Sequence, residues 1–284
     1  MSQPRNRWLV RIILALAVTA FLGVSVIPII SAINNPSPSN QNAASTSSVP
    51  SDQISKLQDE VRGYQMVLQR EPENQTALNG LLQARLQLLS LRQGDIQGVI
   101  EPLEKLAQLN PEQSEYGVLL AQAKQQMGDL EGSAQAYRSI LDTKPGDLKA
   151  LQGMVALLVD QQRPEAAIGL LEDTLSNAEP ANKIQPGSVD TVAIQVLLGT
   201  VHASQKRYPE ATSVYDQAIK KDPQDFRPVL AKAMLFREQG KVEEAKPLFD
   251  SAVALAPAQY KDEINRAAAS PSPAPPETSE TPAE

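Results

Sequence analysis

The chain carries a single imidazole, His202, and no thiol, so the side chains behind most metal and nucleophilic chemistry are nearly absent. Without Cys there is neither a thiolate metal site nor a disulfide. One His cannot form a paired-imidazole zinc motif, and any Ser–His–acid arrangement would have to be built on this one ring. The carboxylates are no better placed. Glu243 and Glu244 are adjacent, in a turn between two expected helices, on a solvated face. No phosphate-cradling glycine loop, dinucleotide fingerprint, nucleophile elbow or zinc motif occurs. The expectation is therefore a protein with no catalytic residues, no metal and no cofactor, and what remains for it to do is recognition.

Composition narrows what can be recognised. The net charge is −7, which gives no electrostatic support for a nucleic-acid partner. Arg5, Arg7 and Arg11 near the start offset Glu277, Glu280 and Glu284 near the end, so the middle of the chain carries the negative balance. Hydrophobic residues make up 42% but aromatic ones only 4%. That profile suits packed helices better than sheets.

Residues 12–33 contain no charged side chain over 22 positions. As a helix this stretch spans ~33 Å, about the thickness of a bilayer core. It is read as a transmembrane helix. The alternative, a cleaved signal peptide, places Ile30 where a small residue is needed. Three Arg precede the span and no Lys or Arg follows until Lys56. The positive-inside bias then puts residues 1–11 in the cytoplasm and the rest in a periplasm or thylakoid-type lumen. Residues 34–51 are rich in Asn, Ser and Pro, and residues 270–284 in Pro and Glu. Neither can bury enough apolar surface to offset its ordering entropy, so both are expected to be disordered.

Between them the chain repeats. Pro72, Pro111, Pro145, Pro180, Pro223 and Pro257 sit in similar settings, at intervals of 39, 34, 35, 43 and 34. Residues 192–223 place Leu198, Gly199, His202, Tyr208, Ala211, Tyr215, Ala218 and Pro223 in a fixed order. Residues 226–257 repeat it with Ala233, Phe236, Gly240, Ala245, Phe249, Ala252 and Pro257. Small residues let two helices approach, larger ones fill the space between units, and Gly128 and Gly240 end helices where the chain turns. This pattern resembles the tetratricopeptide repeat (TPR) family. The resemblance implies an all-α solenoid of helix–turn–helix units wound as a right-handed superhelix, here with an N-terminal transmembrane helix.

The expected repeat domain covers 52–269, with repeats at 75–111, 114–145, 148–180, 192–223 and 226–257. The first of these is stretched and resembles the family only in part, with a first helix capped by Asn74 and ending at Gly94. Residues 52–71 form a helix with Ile54, Leu57, Val61, Tyr64 and Leu68 on one stripe. This helix either caps the first repeat or forms a short coiled coil. Residues 258–269 form a closing cap helix. The departure from rhythm at 181–191 reads as a loop.

In the family the first helix of each unit lines a concave face. Carried over by position, that face holds a candidate peptide groove of Gln122, Gln125, Gln152, Val196, Thr200, Arg227, Leu230, Met234 and Arg237. The Lys and Asn clamp by which some members grip heat-shock-protein tails is missing, so no such binding is expected. The groove is largely uncharged and suits a helix or an extended peptide. The layout resembles membrane-anchored repeat proteins of cyanobacteria and plastids. The implied role is a scaffold or assembly factor for a membrane complex, photosynthetic if the source is cyanobacterial. The alternative is a structural subunit of an envelope, secretion or cell-wall complex.

Overall fold

The computed structural model describes residues 51–270. The expected cytoplasmic segment 1–11, membrane span 12–33, linker residues 34–50 and tail residues 271–284 lie outside the described residues. Among the described residues there are helices and no strands. None of these helices is long and apolar enough to cross a membrane.

The described residues divide into two compact units. The first runs to Arg163 and includes Ala181–Val189; the second holds Pro164–Pro180 and the residues from Asp190 onward.

The first unit opens with α1 (Ser51–Arg70). Its stripe is used within the chain. Leu57 is buried with Ala84 and Leu88 of α2 (Gln75–Ser90), flanked by Ile54 and Val61. Tyr64 lies flat on Gly80, where a methyl group would overlap its ring. With the stripe engaged on α2, it is not left exposed for a coiled coil. Three helices follow: α3 (Gln97–Leu109), α4 (Ser114–Gln126) and α5 (Leu130–Thr143). The core between α2, α3 and α4 is Leu78, Leu82, Val99, Leu103, Leu106 and Leu120. Fully burying one such Leu or Val contributes about 1.5–3 kcal/mol. α6 (Leu148–Asp160) completes the unit's helices, and Tyr137 of α5 fills the space above its Gly153.

Two prolines, Pro102 and Pro247, lie inside helices instead of ending them. Pro102 lies inside α3 and is buried. It has no N–H to give to the carbonyl four residues back, which is that of Gly98. Arg85 of α2 donates to that carbonyl instead.

The second unit contains α7 (Pro164–Ser176), α9 (Thr191–Ser204), α10 (Tyr208–Lys221), α11 (Phe226–Glu238), α12 (Val242–Leu255) and α13 (Ala258–Ala269). α9 is buried almost all round, and it packs on α7, α10 and α11. Tyr215 of α10 sits on Gly199 of α9. Phe249 is buried with Ala233, Ala245 and Ala252. α13 covers this end through Ile264, through a Phe226–Tyr260 ring stack at 5.4 Å, and through Arg237, which donates to the Ala267 carbonyl.

The stretch read as a loop at 181–191 is corrected in part. A short helix, α8 (Ala178–Ile184), runs through Pro180. Pro180 therefore does not close the preceding helix, which already ends at Ser176. Proline is tolerated in a first helical turn, where no intrahelical acceptor awaits its missing N–H. After α8 the chain is folded onto itself: the Asn182 amide accepts from Val189 N–H at 2.9 Å and donates to the Val189 carbonyl at 2.9 Å.

Candidate functional site

The candidate residues lie on the first helix of each repeat, so what starts and stops those helices sets their placement within each unit. α2, α6, α9 and α11 begin at Asn74, Asp147, Asp190 and Asp225, each accepting a backbone N–H from the first turn at 2.9–3.0 Å. Such a cap stabilises a helix by about 1 kcal/mol. α4 starts at Gln113 without a side-chain cap.

All five first helices end in one turn. The residue two beyond the helix is left-handed in each: Arg92 (φ 58°), Gly128 (85°), Gln162 (61°), Lys206 (60°) and Gly240 (75°). The next N–H reaches back over the helix end. Gln93 donates to Leu88 O, Asp129 to Lys124 O, Arg163 to Leu158 O, Arg207 to His202 O and Lys241 to Phe236 O, all at 2.8–3.0 Å. The left-handed residue itself donates to the carbonyl three before it. This is a standard helix-ending arrangement. The end expected at Gly94 is thereby corrected to Ser90, with the turn on Arg92. The sequence signal sought was glycine, and three of the five turns use a residue with a side chain.

Aligned on this turn, the five helices share one register, and the sites differ sharply between the two units. Leu86, Gln122, Ala156, Thr200 and Met234 occupy equivalent places. In the first unit Leu86 is 39% exposed and Gln122 is exposed; in the second Thr200 is buried and Met234 half-buried. One step earlier on the same face, Gln152 is half-buried but Val196 and Leu230 are in the core. Val196, Thr200 and Leu230 are therefore corrected from groove lining to interior. Thr200 Oγ1 donates to the Val196 carbonyl at 2.8 Å and lies 3.3 Å from the Tyr215 hydroxyl.

The two arginines are also committed. The Arg227 guanidinium spans Asp190 (2.7 and 3.2 Å) and Asp225 (2.5 and 2.9 Å), tying together the caps of α9 and α11. Burial pushes the Asp190 carboxyl up, but hydrogen bonds from Arg227 and from the α9 backbone outweigh it and hold it below its ordinary value. Burial likewise opposes the charge on Arg227, and the two aspartates overcome it. Arg237 lies 5.4 Å from the Phe249 ring centre besides its bond to α13, and burial lowers its pKa. Both act as structural stitches.

The first unit keeps an accessible face. Neighbouring first helices are joined along one edge, by Tyr116 donating to Asn79 at 2.9 Å and by Lys149 to Glu115 at 3.3 Å. The Lys149–Glu115 contact pairs two opposite charges at that edge. Beyond it Gln83, Leu86, Gln122, Gln125, Gln126 and Gln152 form a row of amides around one exposed leucine. Each amide offers a donor pair and an acceptor, the complement of a peptide backbone. Sequence reasoning placed Gln122, Gln125 and Gln152 here but missed Leu86, because the stretched first repeat gave no register. A separate cleft of about 420 Å³ opens between α3, α4 and α5, lined by Gln108, Ser114, Gly117, Gln135 and Ser139, with the Glu104–Lys124 ion pair also on its wall.

Among the described residues no cluster of three or more His, Cys, Asp or Glu side chains could hold a metal. His202 is buried in the last turn of α9, at the register place that Phe236 fills in the next repeat.

Comparisons with known proteins agree with this architecture. Residues 153–226 and 202–264 each match a family model described as tetratricopeptide repeat. The chain is 27% identical over 204 residues to protein SLOW GREEN 1, chloroplastic, of Arabidopsis thaliana, covering 72% of this chain and 62% of that one. It is 27% identical over 151 residues to cellulose synthase operon protein C of Pseudomonas fluorescens (strain SBW25), covering 53% of this chain but only 12% of the relative. The chain thus spans less than two thirds of either relative. Yeast Tom70 shares the fold, with a TM-score of 0.51 at 16% identity over 89% of this chain and 45% of Tom70. Repeats of this kind are protein-interaction scaffolds. Residues 153–264 are thus tetratricopeptide repeats.

Proposed function

We propose that this protein is a non-enzymatic scaffold held at a membrane by residues 12–33, with its repeats on the far side from the cytoplasm. There it presents the amide-lined face of its first unit to protein partners during assembly of a membrane complex. The observation that carries the membrane part is the 22-residue uncharged stretch, preceded by three Arg and followed by none until Lys56. Tethering raises the effective concentration of the repeats near membrane partners. The likeness to a protein named as chloroplastic supports a chloroplast-type setting for this reading.

A second reading, a subunit of an envelope, secretion or cell-wall complex, is supported by the likeness to a cellulose synthase operon protein. Two measurements decide. Protease added to the cytoplasmic side of intact vesicles should leave the repeats whole; their digestion would reverse the orientation. Affinity capture from solubilised membranes should return photosynthetic subunits, and recovery of cell-wall or secretion components would establish the second reading instead.

A further inference from the structure

The neighbourhood of His202 is more than a filled hole. The residue is 9% exposed, and its Nδ1 atom is fully covered with no hydrogen-bond partner. Its own carbonyl accepts the N–H of Arg207 that closes the α9–α10 turn. The Arg207 side chain, in turn, grips Glu165 at the start of α7, with Nη1 3.3 Å from Oε2. The imidazole therefore sits where one ion pair clasps the α9–α10 turn to α7. Charges reach it from each side: Glu165 and Glu172 from α7, Glu210 from α10, and Arg207 from the turn. Glu238 of α11, the third helix packed on α9, acts instead on Tyr208 and Tyr215.

We infer that His202 is an acid-sensitive latch for the second unit: neutral, it packs beneath the Arg207–Glu165 clasp; charged, it competes with Arg207 for the same carboxylates and loosens the α7–α9–α10 joint.

Proton bookkeeping gives the direction. A neutral imidazole has one N–H and one bare nitrogen, and the bare nitrogen tolerates a dry site better than a second N–H does. Protonation makes both nitrogens donors and puts a cation where Nδ1 has no acceptor. The new cation is repelled by the guanidinium and attracted by Glu165, Glu172 and Glu210. Its relief is to take a carboxylate, and Glu165 is the one already holding the turn. Burial first, then Arg207, lowers the His202 pKa, while the three glutamates oppose the shift. The folded value thus lies below the ordinary one of about 6.5. The unfolded chain then takes the proton first. The latch contributes its stability above pH ~6.5 and loses it progressively as pH falls through the folded value.

The chain's only imidazole makes the test unambiguous. The histidine ring signals of the full-length protein are followed by NMR from pH 7.5 to 5, alongside denaturant unfolding of wild type, His202→Phe and His202→Gln at both ends of that range. The inference expects the ring to titrate below its value in a model peptide. It also expects the wild-type midpoint to fall further on acidification than that of His202→Phe, the excess being removed by the substitution. Arg207→Gln, which leaves Glu165 free for the charged ring, should move the titration upward. A ring that titrates at or above the peptide value would overturn the latch, and so would equal loss of midpoint in wild type and His202→Phe. If His202→Phe does not fold, the ring titration and the Arg207→Gln shift decide alone.

Discussion

The common turn after each first helix makes a quantitative prediction. Arg92, Gln162 and Lys206 hold φ near +60° with side chains that are exposed. The left-handed conformation costs an ordinary residue roughly 1–2 kcal/mol. Replacement by Gly removes that cost but adds about 0.5–1 kcal/mol of unfolded-state entropy. Since the exposed side chains give up little packing, Lys206→Gly should stabilise by about 0.5–1 kcal/mol. The three turns are well separated, so Arg92→Gly, Gln162→Gly and Lys206→Gly should add, to a total of about 1.5–3 kcal/mol. The reverse change, Gly240→Ala or Gly128→Ala, should destabilise by about 1 kcal/mol, because neither site has a steric obstacle to the methyl group other than φ. Denaturant midpoints of the full-length variants measure all five. At this domain size 1 kcal/mol corresponds to about 2–4 °C in Tm. The reasoning is refuted if Lys206→Gly lowers stability while Gly240→Ala leaves it unchanged, because the turns would then not share the geometry that sets the register of the binding face.

Other outcomes follow from burial and pairing. Val196→Asp or Leu230→Asp should unfold the second unit, costing upwards of about 3 kcal/mol, so lost partner binding in these variants would accompany lost helical circular dichroism. Gly199→Ala pushes a methyl into the Tyr215 ring and should destabilise by about 1–3 kcal/mol; Gly199→Ala with Tyr215→Leu should recover part of that. Arg227→Met leaves Asp190 and Asp225 facing each other and should cost about 1–3 kcal/mol in unfolding experiments, with Arg227→Lys recovering little because an ammonium cannot span both caps.

Much of this fold is legible in the sequence because repeats write the same packing problem several times. Ala211, Ala245, Tyr215 and Phe249 could be paired by position alone, and the structure buries all four. The turns were harder. A glycine such as Gly240 advertises a left-handed residue, whereas Lys206 and Arg92 adopt the same conformation under tertiary constraint with no local signal. Missing Arg92 concealed the register of the first repeat and, with it, Leu86. The site was legible only in part for a different reason. Position within a repeat says which way a side chain points, not whether that space is already filled. Gln122 and Val196 point from related positions, yet one is exposed and the other lies in a helix buried almost all round. Position alone puts Arg227 in the candidate groove and does not show that Asp190 and Asp225 already hold it.

The central claim is that partners engage the amide-lined face of the first unit. Leu86→Glu and Gln122→Glu change exposed side chains on that face and should leave the fold intact. Affinity capture from solubilised membranes, quantified against wild type with circular dichroism as the folding control, tests it directly. The account predicts that the double variant keeps its helical signal and loses most of the proteins that co-purify with wild type. An unchanged set of partners, from a folded double variant, would contradict it.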